Sequence, residues 1–143
     1  MKIAIVNGAN INLLGIREPE IYGKDTWDKI QSRLDQLSLE LGVNLLYFQS
    51  NHEGDIVDFI QKNLEIIDGI IINPAGFSKT GYCILDAIEA KHIPYIEVHI
   101  SNIFKRGGWH AESIFLEHAN GQIIGLKDSV YELALRGMKD LIQ

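Results

Sequence analysis

The sequence predicts an α/β protein, a parallel sheet wound on both faces by helices. Three observations predict it. Short runs rich in Ile, Val and Leu recur along the chain without polar alternation, as strands buried on both faces do. Between them lie segments whose apolar residues fall at helical spacing, the crossovers a parallel sheet requires. The 143 residues suffice for one ordinary domain and not two, and 46% hydrophobic with 22% charged residues is the make-up of a packed globular chain.

Lys2–Asn7 (KIAIVN) is an apolar, β-branched strand that ends at Gly8. Asp25 or Thr26 can cap a helix running to about Leu41, with Ile30, Leu34, Leu37 and Leu41 on one face and Gly42 at its C-terminal stop. Val43–Gln49 is the second strand, and His52–Leu64 the second helix, with Ile56, Phe59, Ile60 and Leu64 inward. Ile66–Asn73 supplies the third strand, closed by Pro74, and a helix follows from about Thr80 to Lys91; Cys83 on it reads as core. Ile93–Ile100 (IPYIEVHI) is the fourth strand. A polar loop from Ser101 to about His110 leads through a short irregular stretch to the fifth, Gln122–Leu126. Asp128 caps the last helix, whose inward stripe is expected to be Val130, Leu133, Ala134, Met138 and Leu141. At this length the arrangement is the doubly wound, flavodoxin-like one, with five parallel strands.

Composition excludes several classes of function. The formal charge is −6, and no basic cluster exists to track nucleic-acid phosphates or to hold an anionic membrane surface. With one cysteine there is neither an internal disulfide nor a CxxC site. The apolar run in MKIAIVNGAN is too short for a signal peptide, and no stretch approaches the roughly 20 apolar residues that span a bilayer. These features point to a reducing compartment, the cytoplasm.

Ligands of open parallel sheets bind beyond the carboxyl ends of the strands. Asn7, Gly8, Asn10 and Asn12 follow the first strand here, Ser50, Asn51 and His52 the second; Asn73 ends the third, and Glu97, His99, Ser101 and Asn102 gather on the fourth. Asn and Ser in such places also serve as helix caps and turn residues. Caps do not account for Glu97 and His99 inside a strand. Residues two apart on a strand share a face, so Glu97, His99 and Ser101 line up. The carboxylate can fix the imidazole's tautomer and favour its protonated form, making His99 a general acid; the plainer reading is a structural ion pair. The five histidines lack HExxH spacing, so no metal site is expected.

The segment Gly15–Gly23 (GIREPEIYG) is long for a connection and is bracketed by glycines, as a lid over that edge would be. It carries Arg17 and Tyr22. A guanidinium close to a phenol favours the phenolate, a base able to take a proton from carbon, although both residue types are also common on loops. NGANINLLG is neither GxGxxG nor a P-loop, and no GxSxG elbow is present.

NGANINLLGIREPEIYG, FQSNHEG, INPAGFSKT and IEVHISN, in this order and spacing, resemble the type II 3-dehydroquinate dehydratase family from residue 3 to about 106, and more weakly to the C-terminal helix. The resemblance implies one dehydroquinase-like domain over 1–143, trimers packed into a dodecamer, and no metal or cofactor. It implies a hydro-lyase that dehydrates 3-dehydroquinate to 3-dehydroshikimate by anti elimination through an enolate, in the shikimate pathway or in quinate breakdown. Tyr22 would then take the proton from C2, with Arg17 favouring its phenolate and stabilising the transition state. Asn10 would hold the enolate oxygen. His99, oriented by Glu97, would protonate the departing C1 hydroxyl. Asn73 and the backbone at Ile100 and Ser101 would hold the substrate carboxylate, and Asp86 would reach a neighbouring subunit's site.

Four positions depart from the family pattern. SKTG stands where THTS is usual, so Lys79 replaces a histidine and Gly81 a serine; His110 stands where an arginine is usual, and Ala9 replaces a proline. Lys79 and His110 would contact the substrate's ring hydroxyls, and an imidazole cannot reproduce a guanidinium's planar fork. The changes either compensate each other or re-aim the same machinery at another cyclic β-hydroxy carbonyl substrate. A binding protein without turnover is the third reading, and the retained Tyr22, Arg17, Glu97 and His99 speak against it.

Overall fold

The computed structural model describes residues 1–143. Five strands, β1 (Lys2–Ala9), β2 (Asn44–Gln49), β3 (Gly69–Ala75), β4 (Tyr95–His99) and β5 (Gly121–Ile124), pair all-parallel in the order β2-β1-β3-β4-β5. The reversal of strand order falls between β1 and β3, where Asn7 lies opposite Asn73. Three helices cross between the strands, α2 (Trp27–Leu41), α3 (Glu53–Asn63) and α4 (Tyr82–Glu89), and α6 (Ser129–Ile142) follows β5. Two one-turn helices, α1 (Pro19–Tyr22) and α5 (Ile103–Arg106), stand at the carboxyl edge of the sheet.

The period-two alternation of the strands divides the core in two. Ile3, Ile5, Ile71 and Val98 face α2 and α6, where Ile30, Leu34, Val130 and Leu135 meet them. Ala4, Val6, Ile70 and Ile72 face α3 and α4, meeting Ile56, Ile60, Ile84 and Ile88. Each such Ile or Leu contributes about 1.5–3 kcal/mol by leaving water, so both layers are needed. Gly42 ends α2 in a left-handed conformation (φ 68°), with its N–H on Leu39 and Ser38 carbonyls. No helix is long and apolar enough to cross a membrane.

Several boundaries and faces differ from expectation. Ile66 and Ile67 belong to the turn closing α3, their N–H groups donating to the Asn63 carbonyl, so β3 starts at Gly69 and runs through Pro74 to Ala75. The edge strand β2 is half-buried rather than covered on both faces. On α6 the inward residues are Val130, Tyr131, Ala134, Leu135 and Met138, while Leu133 and Leu141 are exposed. The helix is rotated so that Tyr131 and Leu135, not Leu133, meet the sheet. Asp128 occupies the cap position without a capping hydrogen bond, because its carboxylate pairs with Arg33. Cys83 is exposed, on the outward side of α4.

Candidate active site

One cavity opens at the carboxyl edge beside the point of strand reversal, enclosing about 730 Å³ including its mouth. That is the scale of a small-molecule site, in the place where parallel sheets bind ligands. Its walls come from the segment after β1 (Asn10, Arg17, Tyr22), the end of β3 (Asn73, Ser78) and the segment after β4 (His99 to His110).

His99 is 5% exposed and its Nε2 lies 2.7 Å from Oε1 of Glu97, which is fully buried. A buried carboxylate is costly unless its oxygens are met by donors. Here Ser113 Oγ also donates to Oε1, and Gln122 Nε2 donates to Oε2 at 3.0 Å. Glu97 lies behind the cavity wall and reaches it only through the imidazole, as the strand spacing predicts.

Tyr22 ends α1, within the glycine-bracketed segment. Its hydroxyl oxygen accepts from Arg106 Nη1 at 2.7 Å, and the same nitrogen lies 3.4 Å from Ser101 Oγ. The other guanidinium nitrogen, Nη2, lies 3.0 Å from His110 Nε2. Arg17 stands over the tyrosine ring, its Cζ 5.2 Å from the centroid, while Arg106 Cζ is 5.4 Å away. The phenol is thus flanked by two cations. Arg106, not Arg17, makes the hydrogen bond to its oxygen, and Arg17 instead pairs with Glu18 at 3.6 Å.

Asn73 is 3% exposed and fixed on both sides. Its Oδ1 accepts from Ala75 N at 3.2 Å, and its Nδ2 donates to Tyr131 Oη at 3.0 Å; that hydroxyl in turn donates to Asn7 Oδ1 at 2.7 Å. Burial pushes the Tyr131 phenol's pKa well up, so the hydroxyl keeps the proton it donates. Asn10 adopts φ 70°, its N–H donating to Asn51 Oδ1 at 3.0 Å. A side chain at Gly8 would overlap the Pro74 carbonyl, which explains the glycine between Asn7 and Asn10.

Of the residues singled out above, Asn10, Arg17, Tyr22, Asn73, His99, Ile100, Ser101 and His110 line this cavity, with Glu97 directly behind. Lys79 does not line it; its Nζ lies 3.0 Å from Glu112 Oε2, and both side chains are about half exposed. Asp86 does not either, lying with Val57, Leu64 and Cys83 in a shallow groove between α3 and α4. Ser50 Oγ donates to Asp55 Oδ2 at 2.9 Å and accepts from the His52 N–H, so it serves the turn into α3. Ser78, Arg106 and Trp109 are cavity residues that pattern reasoning missed. The only signal for Arg106 was its place in the polar segment after β4. No group of three or more His, Cys, Asp or Glu side chains converges to hold a metal.

Residues 1–139 match the family model described as dehydroquinase class II. A 3-dehydroquinate dehydratase of Caldicellulosiruptor saccharolyticus is 47% identical over 142 residues, covering 99% of this chain and 98% of the relative. One of Endomicrobium trichonymphae is 49% identical over 141 residues, covering 99% of each. Among solved structures, a type II dehydroquinase of Butyrivibrio crossotus superposes with a TM-score of 0.92 at 38% identity, covering 96% of this chain and 97% of that one. With the family model, the relatives and the superposed structure in agreement over nearly the whole chain, this protein belongs to the class II dehydroquinase family.

Proposed function

We propose that this chain removes water from 3-dehydroquinate by anti elimination through an enolate, with Tyr22 as base and His99 as acid. One observation supports the reading above the others. Tyr22, its oxygen bonded to Arg106, and His99, backed by Glu97, line the same cavity on separate elements. A binding site alone has no use for both.

In this reading the Tyr22 phenolate takes the proton from C2, and the electron pair moves toward the C3 carbonyl as an enolate. Asn10 holds that oxygen. Collapse of the enolate forms the C1–C2 double bond as the C1 hydroxyl leaves, taking a proton from His99 to depart as water. Glu97 balances the imidazolium that supplies it. Arg17 and Arg106 favour the phenolate and stabilise the charge that develops. Asn73, with the backbone at Ile100 and Ser101, receives the substrate carboxylate. Organic catalysis of this kind calls on no cofactor.

Asp86 fits a role in a neighbouring copy, since it is exposed and remote from its own cavity. The reading therefore includes a homo-oligomer of trimers packed into a dodecamer, working in the cytoplasm. A sedimentation measurement of mass checks the assembly. The activity is checked by the ultraviolet absorbance of the conjugated enone product, with Tyr22→Phe beside the wild type. Enone formation that disappears in the variant is expected; a protein that is folded and inert toward 3-dehydroquinate contradicts the proposal.

A further inference from the structure

We infer that His110 is a positioning residue: its imidazole accepts one N–H of the Arg106 guanidinium and thereby aims another at the Tyr22 oxygen. The inference rests on the reading of Tyr22 as base, and gives position 110 a task other than contact with substrate.

A guanidinium has donors and no acceptor, so at 3.0 Å the Nε2 of His110 must offer its lone pair to Nη2. The ring is then neutral, with its proton on Nδ1. Burial first, then the charges of Arg106 and Arg17, lower the His110 pKa, and Glu18 alone opposes them. The neutral ring that the hydrogen bond requires is the form its surroundings favour.

The ring is held in place. It stacks on Trp109 with centroids 3.7 Å apart and planes at 26°. Gly107 and Gly108, at φ 70° and 59°, turn the chain back after α5 and bring residue 110 alongside residue 106. Arg106 is thereby fixed at two points, Nη1 on Tyr22 and Nη2 on His110. A long flexible side chain fixed at one point would spend part of its time elsewhere; the second contact holds the fork in register. An arginine at position 110 has no acceptor to offer and could not do this.

The test is the split between kcat and KM for His110→Ala and His110→Gln with 3-dehydroquinate, beside Tyr22→Phe. A residue acting through Arg106 predicts that His110→Ala lowers kcat about tenfold or more, with KM within about threefold of wild type. His110→Gln, whose amide oxygen can take the place of Nε2, should restore kcat to within about threefold. A rise in KM at unchanged kcat, no change in either constant, or a Gln variant as impaired as the Ala variant overturns the inference. Tyr22→Phe separates the two claims. If it keeps turning over, the reading of Tyr22 as base falls and this inference with it; if it is inert while His110→Ala matches wild type, only this inference falls.

Discussion

The hydroxyl oxygen of Tyr22 lies 2.7 Å from Nη1 of Arg106, a residue 84 positions further along the chain. The bond joins the segment after β1 to the segment after β4, and both residues line the cavity. It ties the Tyr22 hydroxyl, the base of the proposed mechanism, to the scaffold. Arg106→Lys should therefore fail as a conservative change, because an ammonium is a point charge and cannot serve Tyr22 and His110 in one plane. We expect kcat about tenfold lower in Arg106→Lys and about a hundredfold lower in Arg106→Ala, measured by steady-state enone formation.

Glu97 meets three donors in the interior: His99, Ser113 and Gln122. Glu97→Gln keeps the shape and removes the charge that, in the proposed mechanism, balances the His99 imidazolium. It should lower kcat by about a hundredfold with little change in Tm. Glu97→Ala leaves the three donors unmatched at about 1–3 kcal/mol each, so its thermal unfolding should begin many degrees earlier. Calorimetry of the pair separates the two effects.

Tyr131→Phe removes the one atom shared by Asn7 and Asn73. Stability should drop by about 1–3 kcal/mol, since both amides lose a buried partner. The freed Asn73 amide should also bind the substrate carboxylate less well, raising KM several-fold while kcat changes less. Denaturant titration and steady-state kinetics on the same preparation check both outcomes.

Arg33 gathers Asp25, Asp128 and Glu132, joining α2 to α6 and to the segment before α2. Its hydrogen bond holds the Asp25 carboxyl's pKa below the ordinary carboxylate value, with further help from the charges of Arg33 and Lys29. A depressed carboxyl stabilises the fold above its unfolded pKa, and that contribution is lost as pH falls through the folded value. Arg33→Met should therefore lower Tm at pH 7, and the gap to wild type should narrow as the pH drops below about 4. Added salt should narrow it too, because the group is near the surface.

The parts of this fold that were legible in the sequence are those where one local pattern decides. The apolar runs of β1 and β4 and the stripe of α2 fall where expected, since burial on both faces or on one leaves a plain signature. The contact between Glu97 and His99 was legible as well, because residues two apart on a strand share a face. The α6 stripe was not fully legible because Leu133 adjoins Val130 and Ala134 on one side as Tyr131 and Leu135 adjoin them on the other. Periodicity alone cannot choose between two adjoining faces; contact with the sheet chooses. Cys83 was misplaced likewise, its apolar neighbours being inward while it points out. Arg106 was not legible, because its role depends on two distant segments meeting and no local spacing records that. Lys79 was expected at the cavity only because it stands where the resembled family has a histidine, yet it pairs with Glu112 outside the cavity lining.

The division of labour between Tyr22 and His99 is tested most directly by proton exchange at C2 in deuterium oxide, followed by NMR beside enone formation. His99→Asn should still exchange the C2 proton of 3-dehydroquinate while losing water far more slowly, because the base remains and the acid is gone. Tyr22→Phe should do neither. Exchange that persists in Tyr22→Phe, or that disappears in His99→Asn while dehydration continues, would contradict the account.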